Sequence, residues 1–327
     1  MRVLVTGASS LLGGATAGLL RDRGEEVTVF QRHQAGVRGV RELLGDVTDG
    51  AAVAGAARGQ DAVVHLAARV SVVGSWRDFA AVNVGGTANL LTAARTTGVR
   101  RIVHVSSPSV AHAGHALVGA GAEPADPGRA RGHYARSKAL AEQRALAADG
   151  PDLAVMALRP HLVWGPGDTQ LVGRIVQRAR AGRLAVVGDG GALVDSTYLE
   201  DAAAALVAAL DALPGVHGEA LVVSSGEPRP IGELLGRICL AAGLDPPRRR
   251  MPRRLAWAAG AAAEAVWALT GRDDDPPMTR FLAEQLSTAH WFDQRRTRAL
   301  LGWAPTVGID EGFRRLAAWF SAGDAHG

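Results

Sequence analysis

The sequence predicts a doubly wound α/β fold, a parallel sheet with helices on both faces, and three observations carry that expectation. Short β-branched apolar runs alternate with longer Ala/Leu/Arg segments of helical periodicity. Those runs are apolar almost throughout, as strands covered on both faces are. The first of them breaks into a glycine turn and then a helix, the opening unit of nucleotide-binding sheets.

In order, strands are expected at RVLV (2–5), EVTVF (26–30), AVVHLAA (62–68), RIVHVSS (101–107) and LAVMALRP (153–160). Between them GATAGLLRDRG, NVGGTANLLTAARTTG and YARSKALAEQRALAADG carry apolar residues at helical spacing and end at glycine, the usual helix stop. Past about residue 160, WGPGD, GDGGA and SGEPRP separate shorter elements, so a smaller C-terminal region is expected to cap the sheet.

Size and composition bound the function. A chain of 327 residues with 47% hydrophobic content can bury a core in one or two domains. The single cysteine, Cys239, excludes a disulfide framework. With no export pattern at the N-terminus, a cytoplasmic location is expected. The net charge is only +4, and the arginines are spread along the chain except for RRRMPRR at 248–254, so nucleic acid is not an expected partner.

The opening stretch MRVLVTGASSLLGG reads as a strand, a turn from Gly7 and a helix from about Leu11. The turn's N–H groups and the helix N-terminus make a pyrophosphate site. The fingerprint runs Gly7, Ser10, Gly13, so the middle glycine has become Ser10, whose hydroxyl can donate to a phosphate oxygen. The second strand ends EVTVFQRH, where a carboxylate ordinarily takes the adenosine ribose hydroxyls of NAD. Gln31 and Arg32 stand there instead, and a guanidinium grips a 2′-phosphate bidentately. NADP(H) is therefore the expected cofactor, with NAD as the alternative; the plain reading of Arg32 is a solvated turn residue. Asp46 in GDVTD falls where the adenine amino group needs an acceptor, or it caps the helix that starts near Thr48.

The chain has one lysine and two tyrosines. Lys138 follows Tyr134 by four residues in HYARSKALAE, one helical turn, so both side chains face the same way. A phenol that exchanges a proton with a substrate oxygen needs its pKa of about 10 lowered. One ammonium about 4 Å away supplies roughly 4 kcal/mol at an effective dielectric near 20, equivalent to about three units. The compact ammonium also reaches a ribose hydroxyl, which suits it better than an arginine fork. RIVHVSSPSVAH offers a hydroxyl to steady the substrate oxygen, and Ser107 is favoured over Ser106. A non-catalytic dinucleotide sensor would have no use for this pair.

In order and spacing, TGASSLLG, GDVTD, HLAA (65–68), Asn83 in AVNVGGTANLL, VSSPS, YARSK and LRPHLVWGPGD resemble the extended short-chain dehydrogenase/reductases over nearly the whole chain. The resemblance implies a Rossmann fold with Ser107, Tyr134 and Lys138 as the catalytic trio. It places Gly7, Ser10, Leu12, Gly13, Arg32, Asp46, Val47, Ala67, Asn83, Lys138, Pro160 and Val163 around the dinucleotide. It divides the chain into an NADP-binding domain over 1–160 that holds the catalytic residues and a substrate-binding region over 161–327 that returns strands and helices to the core.

Sugar-nucleotide epimerases of that family carry an asparagine three residues after the LR arginine and an arginine before the later acidic motif. Leu162 and Val194 stand there, and a diphosphate beside two apolar side chains is costly. An NDP-sugar epimerase or dehydratase is the less favoured alternative. SSPSVAH, LRPHLVWGPGD, RARAGRLAVVGDGGALVDSTY and TRFLAEQLSTAHWF are similar to the 3β-hydroxysteroid dehydrogenase branch. They are closer still to the reductases of 2-alkyl-3-oxoalkanoates in bacterial long-chain olefin biosynthesis. That likeness implies a ketone reduced to a secondary alcohol on a bulky hydrophobic substrate, with a 3β-hydroxysteroid as the alternative. Tyr134 would donate the proton, Ser107 would orient the carbonyl, and His112, Trp164 and Thr197 would touch the substrate. Arg159 or Arg280 would receive a carboxylate, unless Arg159 fixes its strand end.

RRLAWAAGAAAEAVWALTG and PPMTRFLAEQLSTAHWFD, with Trp257, Trp267, Phe281, Trp291 and Phe292, imply an apolar lid or plain core. The run is too short and interrupted to span a membrane; peripheral contact through the neighbouring arginines stays open. His112, His115, His161 and His290 invite a metal check, but HAGH has no partner carboxylate and no metal is expected. Long helices in this fold pair across a two-fold, so a homodimer is expected, alone or within a pathway complex.

Overall fold

A computed structural model describes residues 1–71, 73–111, 114–270 and 276–324. Seven strands form the central parallel sheet: β1 (Arg2–Thr6), β2 (Glu26–Gln31), β3 (Arg41–Leu44), β4 (Ala62–His65), β5 (Arg101–Val105), β6 (Ala154–Pro160) and β7 (Glu219–Val223). Their order is β7-β6-β5-β4-β1-β2-β3. The chain walks outward from β1 to β3, then crosses back to β4 and walks out the other way. That reversal between β1 and β4 opens a crevice at the strands' carboxyl ends, where such sheets bind ligands.

Five helices cover the sheet: α1 (Leu11–Asp22), α2 (Gly50–Ala57), α3 (Gly86–Thr97), α4 (Gly132–Leu146) and α5 (Leu199–Ala212). β1 shows why both faces need covering. Val3 and Val5 enter one apolar layer with Ala17 and Leu20 of α1 and Leu206 and Leu210 of α5. Leu4, pointing the other way, enters a second layer with Val53 of α2, Leu90 and Ala94 of α3 and Ala145 of α4. All of these side chains are buried, and each removes from water an area that contributes roughly 25 cal/mol per Å².

Two strands of the sheet fall outside the runs named from sequence. β3 is an edge strand whose RELL opens on two exposed charged residues, and β7 comes from the far side of α5 to pair with β6. A four-stranded sheet joins Arg229–Pro230, Leu193–Val194 and His290–Phe292 of the second half to Leu117–Ala120 of the first, in that spatial order. A third apolar core lies in this region, around Trp164, Val194, Tyr198, Leu235 and Phe313. The long helix α6 (Arg253–Thr270) lies against the segment that leads into the helix Arg280–Gln285. Among the described residues, no helix is long and apolar enough to cross a membrane.

Candidate active site

The β1–α1 turn is built for close backbone approach. Gly7 has φ +78°, a left-handed conformation that glycine adopts freely, and a Cβ there would lie 2.8 Å from the Ala67 nitrogen. A Cβ on Gly13 would come within 2.4 Å of the Gly7 carbonyl oxygen. Ser10, by contrast, sits in extended conformation at the N-cap of α1, where no glycine is required. Its hydroxyl donates to the Gly7 carbonyl at 2.8 Å and accepts from the Gly13 nitrogen at 3.1 Å. The hydroxyl expected to donate to a phosphate therefore spends its proton on the turn itself, and stiffens it. Leu12 is half-buried in the first turn of α1. The glycine-only space and the start of a twelve-residue helix fit a dinucleotide's pyrophosphate.

Around the crevice the expected cofactor residues line the strand ends. Gln31, at the end of β2, donates to Glu42 at 2.7 Å, while Arg32 beside it is exposed and unpaired among the described residues. Asp46 is held below the usual carboxylate range by the Thr48 backbone N–H, the Thr48 hydroxyl and the field of Arg32. It does not cap α2: Asp49 does, accepting from Ala51 and Ala52. Val47 is buried, and its carbonyl accepts from Asn89 at 3.0 Å. Asn83 lies in a π-helical turn (Ala80–Gly85), accepts from the Arg69 nitrogen at 2.7 Å and donates to Ser137 at 2.8 Å. Pro160 closes β6 and Val163 follows it in a short strand, both half-buried.

His65 was not anticipated as a site residue. The Ala67 nitrogen donates to Thr6 Oγ1, Thr6 Oγ1 bonds His65 Nδ1 at 2.7 Å, His65 Nε2 bonds Thr87 Oγ1 at 3.2 Å, and Thr87 donates to the Asn83 carbonyl. The two ends of that chain orient every proton in it, so His65 is the neutral Nε2–H tautomer. Burial, with Lys138 nearby, pushes its pKa down to about 3. The relay stitches the ends of β1 and β4 to α3. The signal was the HLAA motif, whose histidine carries this connection.

Tyr134 and Lys138 lie on α4, and Ser107, just past β5, stands near enough to the Tyr134 phenol to favour its ionised form, while its own hydroxyl bonds Ser109 Oγ at 2.9 Å. Ser106 is buried with its hydroxyl unpartnered among the described residues. Lys138 donates to the Val105 carbonyl at 2.6 Å. Burial lowers its pKa to about 8, against the opposing charge of Glu142. The phenol does not show the expected depression: burial raises its pKa, and only the nearby Ser107 hydroxyl works against that. The ammonium's field falls instead on His65 and His104, two buried imidazoles whose rings lie 5.5 Å apart.

On the substrate side, two expectations are corrected. Trp164 is 3% exposed, donates to Ser196 at 3.0 Å and packs between Phe313 and Tyr198. Thr197 is fully buried and donates to the His161 and Val223 carbonyls. Both belong to the core, because every polar atom they carry is already satisfied within the fold. Arg159 is likewise spent: it is 1% exposed, pairs with Glu142 at 2.8 and 2.5 Å and donates to the Glu123 carbonyl. Arg280 pairs with Glu264 at 2.6 Å. His112 lies outside the described residues. His161 and His290 bond each other directly, Nε2 to Nδ1 at 2.8 Å, which commits both nitrogens to that bond rather than to a metal. Leu162 and Val194, far apart in sequence, meet in one apolar cluster, and Leu162 is there the one described non-glycine residue with positive φ, 40°.

A glycine-turn crevice and a Ser–Tyr–Lys constellation define a dinucleotide-dependent oxidoreductase. The chain belongs to the NAD dependent epimerase/dehydratase family, whose model matches residues 3–224. It is 44% identical over 326 residues to a 2-alkyl-3-oxoalkanoate reductase of Stenotrophomonas maltophilia, covering 97% of this chain and 99% of that one. It is 37% identical over 328 residues to another 2-alkyl-3-oxoalkanoate reductase, from Shewanella oneidensis, covering 96% and 85%. Among solved structures, MoeE5 in complex with UDP-glucose and NAD is similar with a TM-score of 0.77 and 25% identity, covering 99% of both chains. The protein is an NAD(P)-dependent oxidoreductase.

Proposed function

We propose that the protein is an NADPH-dependent ketoreductase that converts a 2-alkyl-3-oxoalkanoate to the 2-alkyl-3-hydroxyalkanoate, in an olefin-forming sequence. The observation that carries this reading is the Tyr134 phenol placed near the Ser107 hydroxyl at the end of β5, with the chain's one lysine a helical turn further on. When bound, the nicotinamide supplies a hydride to the carbonyl carbon. The Ser107 and Tyr134 hydroxyls hold the carbonyl oxygen, and Tyr134 gives it a proton as charge develops there. A phenol raised above its ordinary pKa is fully protonated at neutral pH, which suits reduction. Lys138 then stabilises the tyrosinate left behind.

The substrate class rests on sequence position: Leu162 and Val194 stand where sugar-nucleotide epimerases of the family carry an asparagine and an arginine, which supports an apolar substrate over a nucleotide sugar. Arg32 supports NADPH, because it is exposed beside Asp46 with no partner to release. The test is a parallel assay of cofactor turnover with 2-alkyl-3-oxoalkanoates, 3β-hydroxysteroids and UDP-sugars. Turnover of the oxoalkanoates is expected; turnover of the steroids or UDP-sugars alone overturns the reading.

A further inference from the structure

The face of α6 turned toward the protein is made of small residues. Ala256 and Gly260 are buried, and a Cβ on Gly260 would lie 2.5 Å from the Thr279 carbonyl carbon. Glu264 on the same helix is tied to Arg280. The other face is apolar too. Leu255, Val266 and Leu269 are 57%, 48% and 87% exposed, and Ala258, Ala259 and Ala262 beside them are exposed with them. At 3.6 residues per turn, Leu255, Ala262, Val266 and Leu269 share a strip covering about a sixth of the circumference, away from Gly260, while Trp257, 44% exposed, lies on the Gly260 side. A helix that faces water ordinarily carries charge on that strip.

The approach to this face is cationic. Arg248, Arg249, Arg250, Arg253 and Arg254 are all exposed, and among the described residues only Arg248 has a carboxylate within reach, Asp245 at 3.7 Å. Arg253 and Arg254 stand in the first turn of α6, the end at which a helix dipole disfavours cations, so local stability does not explain them. On the other side of this end of α6 a cavity of about 430 Å³ opens between the helix and the segment after it, lined by Arg253, Arg254, Trp257, Ala283, Glu284 and Ser287.

We propose that α6, arginine end first, docks the protein on an anionic bilayer surface. Leu255, with Val266 behind it on the strip, enters the headgroup boundary, and the exposed arginines at this end of the helix meet lipid phosphates. Asp273, Asp274 and Asp275 follow the helix in sequence, so contact is deepest at its arginine end. The inference stands independently of the ketoreductase reading, since no step of the reaction uses α6.

The experiment is co-sedimentation of the full-length protein with vesicles of phosphatidylglycerol and phosphatidylcholine, and with phosphatidylcholine alone, at salt of about 0.1 M and about 1 M. Binding to the anionic vesicles at low salt only is expected. Arg253→Glu with Arg254→Glu should weaken it more than about tenfold, since each arginine near such a surface is worth about fivefold. Leu255→Ser with Val266→Ser should also weaken it, with an unchanged thermal melt. Asp273→Asn, Asp274→Asn and Asp275→Asn together should strengthen it. Equal binding of wild type and variants, or binding to neither vesicle, overturns the proposal. So does a dimer that these same substitutions dissociate in sedimentation velocity, which gives the face to a second copy of the chain.

Discussion

In the proposed reaction Tyr134 is the acid, and its removal should separate chemistry from binding. Tyr134→Phe keeps the ring and deletes the proton, so kcat should fall by about 10²–10⁴-fold while cofactor affinity, measured by fluorescence titration, stays within a few-fold. A comparable loss of cofactor affinity would mean that the phenol holds the dinucleotide rather than the substrate oxygen. Lys138 sets a pH signature of its own. Its pKa of about 8 lies below its ordinary 10.5, so the ammonium that steadies the tyrosinate is lost above about pH 8 and kcat/KM should fall there with unit slope. Stability should move the other way. Between about pH 8 and 10.5 the unfolded chain binds a proton that the folded chain does not, so this group's contribution to folding improves as pH rises through that window. Rate and melting temperature measured in the same buffers check both signs, and a flat rate profile up to pH 10 would remove Lys138 from the mechanism. Leu162 makes a different residue-scale point: its φ of 40° costs a non-glycine residue about 1–2 kcal/mol, and the apolar cluster around it holds it there.

Helix α4 acts as a unit because Tyr134, Lys138 and Glu142 recur at four-residue spacing on one stripe. Glu142 reaches across to Arg159 at the end of β6, and both are 1% exposed, so the pair clamps the catalytic helix to the strand that leads into the substrate region. Arg159→Met leaves the Glu142 carboxylate buried and alone, and should cost about 3–5 kcal/mol in a denaturant melt. Glu142→Gln removes the charge that props up the Lys138 pKa, so the falling limb of kcat/KM should move below pH 8; a limb that stays put would show that the two do not interact. The sequence made this stripe legible as far as Lys138, because one lysine and a preceding tyrosine are conspicuous among arginines. Glu142 was not legible, since a glutamate on a helix is ordinarily solvent-facing and only the tertiary partner shows otherwise. The same distinction runs through the fold. β1, β2, β4, β5 and β6 announce themselves as β-branched runs, whereas β3 is an edge strand that need not be apolar and β7 joins the sheet only through long-range pairing. Trp164 and Thr197 are expected at the substrate from the likeness of their motifs to the reductases, yet their partners, Ser196, His161 and Val223, draw them into the core.

At the scale of the whole molecule, the cofactor crevice is assembled from separate parts of the sheet. Gly7 and Ser10 follow β1, Arg32 follows β2, Ala67 follows β4, and Pro160 ends β6. The Thr6–His65–Thr87–Asn83 relay ties three of the surrounding elements together beneath it. A dinucleotide bound there has no counterpart in the unfolded chain, so it should stabilise the fold as a unit. The gain is about 2.7 kcal/mol at a hundredfold excess over the dissociation constant. This gives a readout of cofactor choice that needs no turnover. On the proposed reading NADPH should raise the melting temperature more than NADH does at equal concentration, because the residue after β2 would be a cation for the 2′-phosphate, Arg32, where NAD enzymes place a carboxylate for the ribose. Arg32→Asp should reverse the order, trading a phosphate partner for a ribose partner at the same strand end. Gly13→Ala should abolish both shifts, since its methyl would occupy the space beside the Gly7 carbonyl on which the turn depends. If wild type responds equally to the two cofactors and Arg32→Asp changes neither response, Arg32 is a solvated turn residue and the preference for NADPH falls, while the crevice itself stands or falls separately on Gly13.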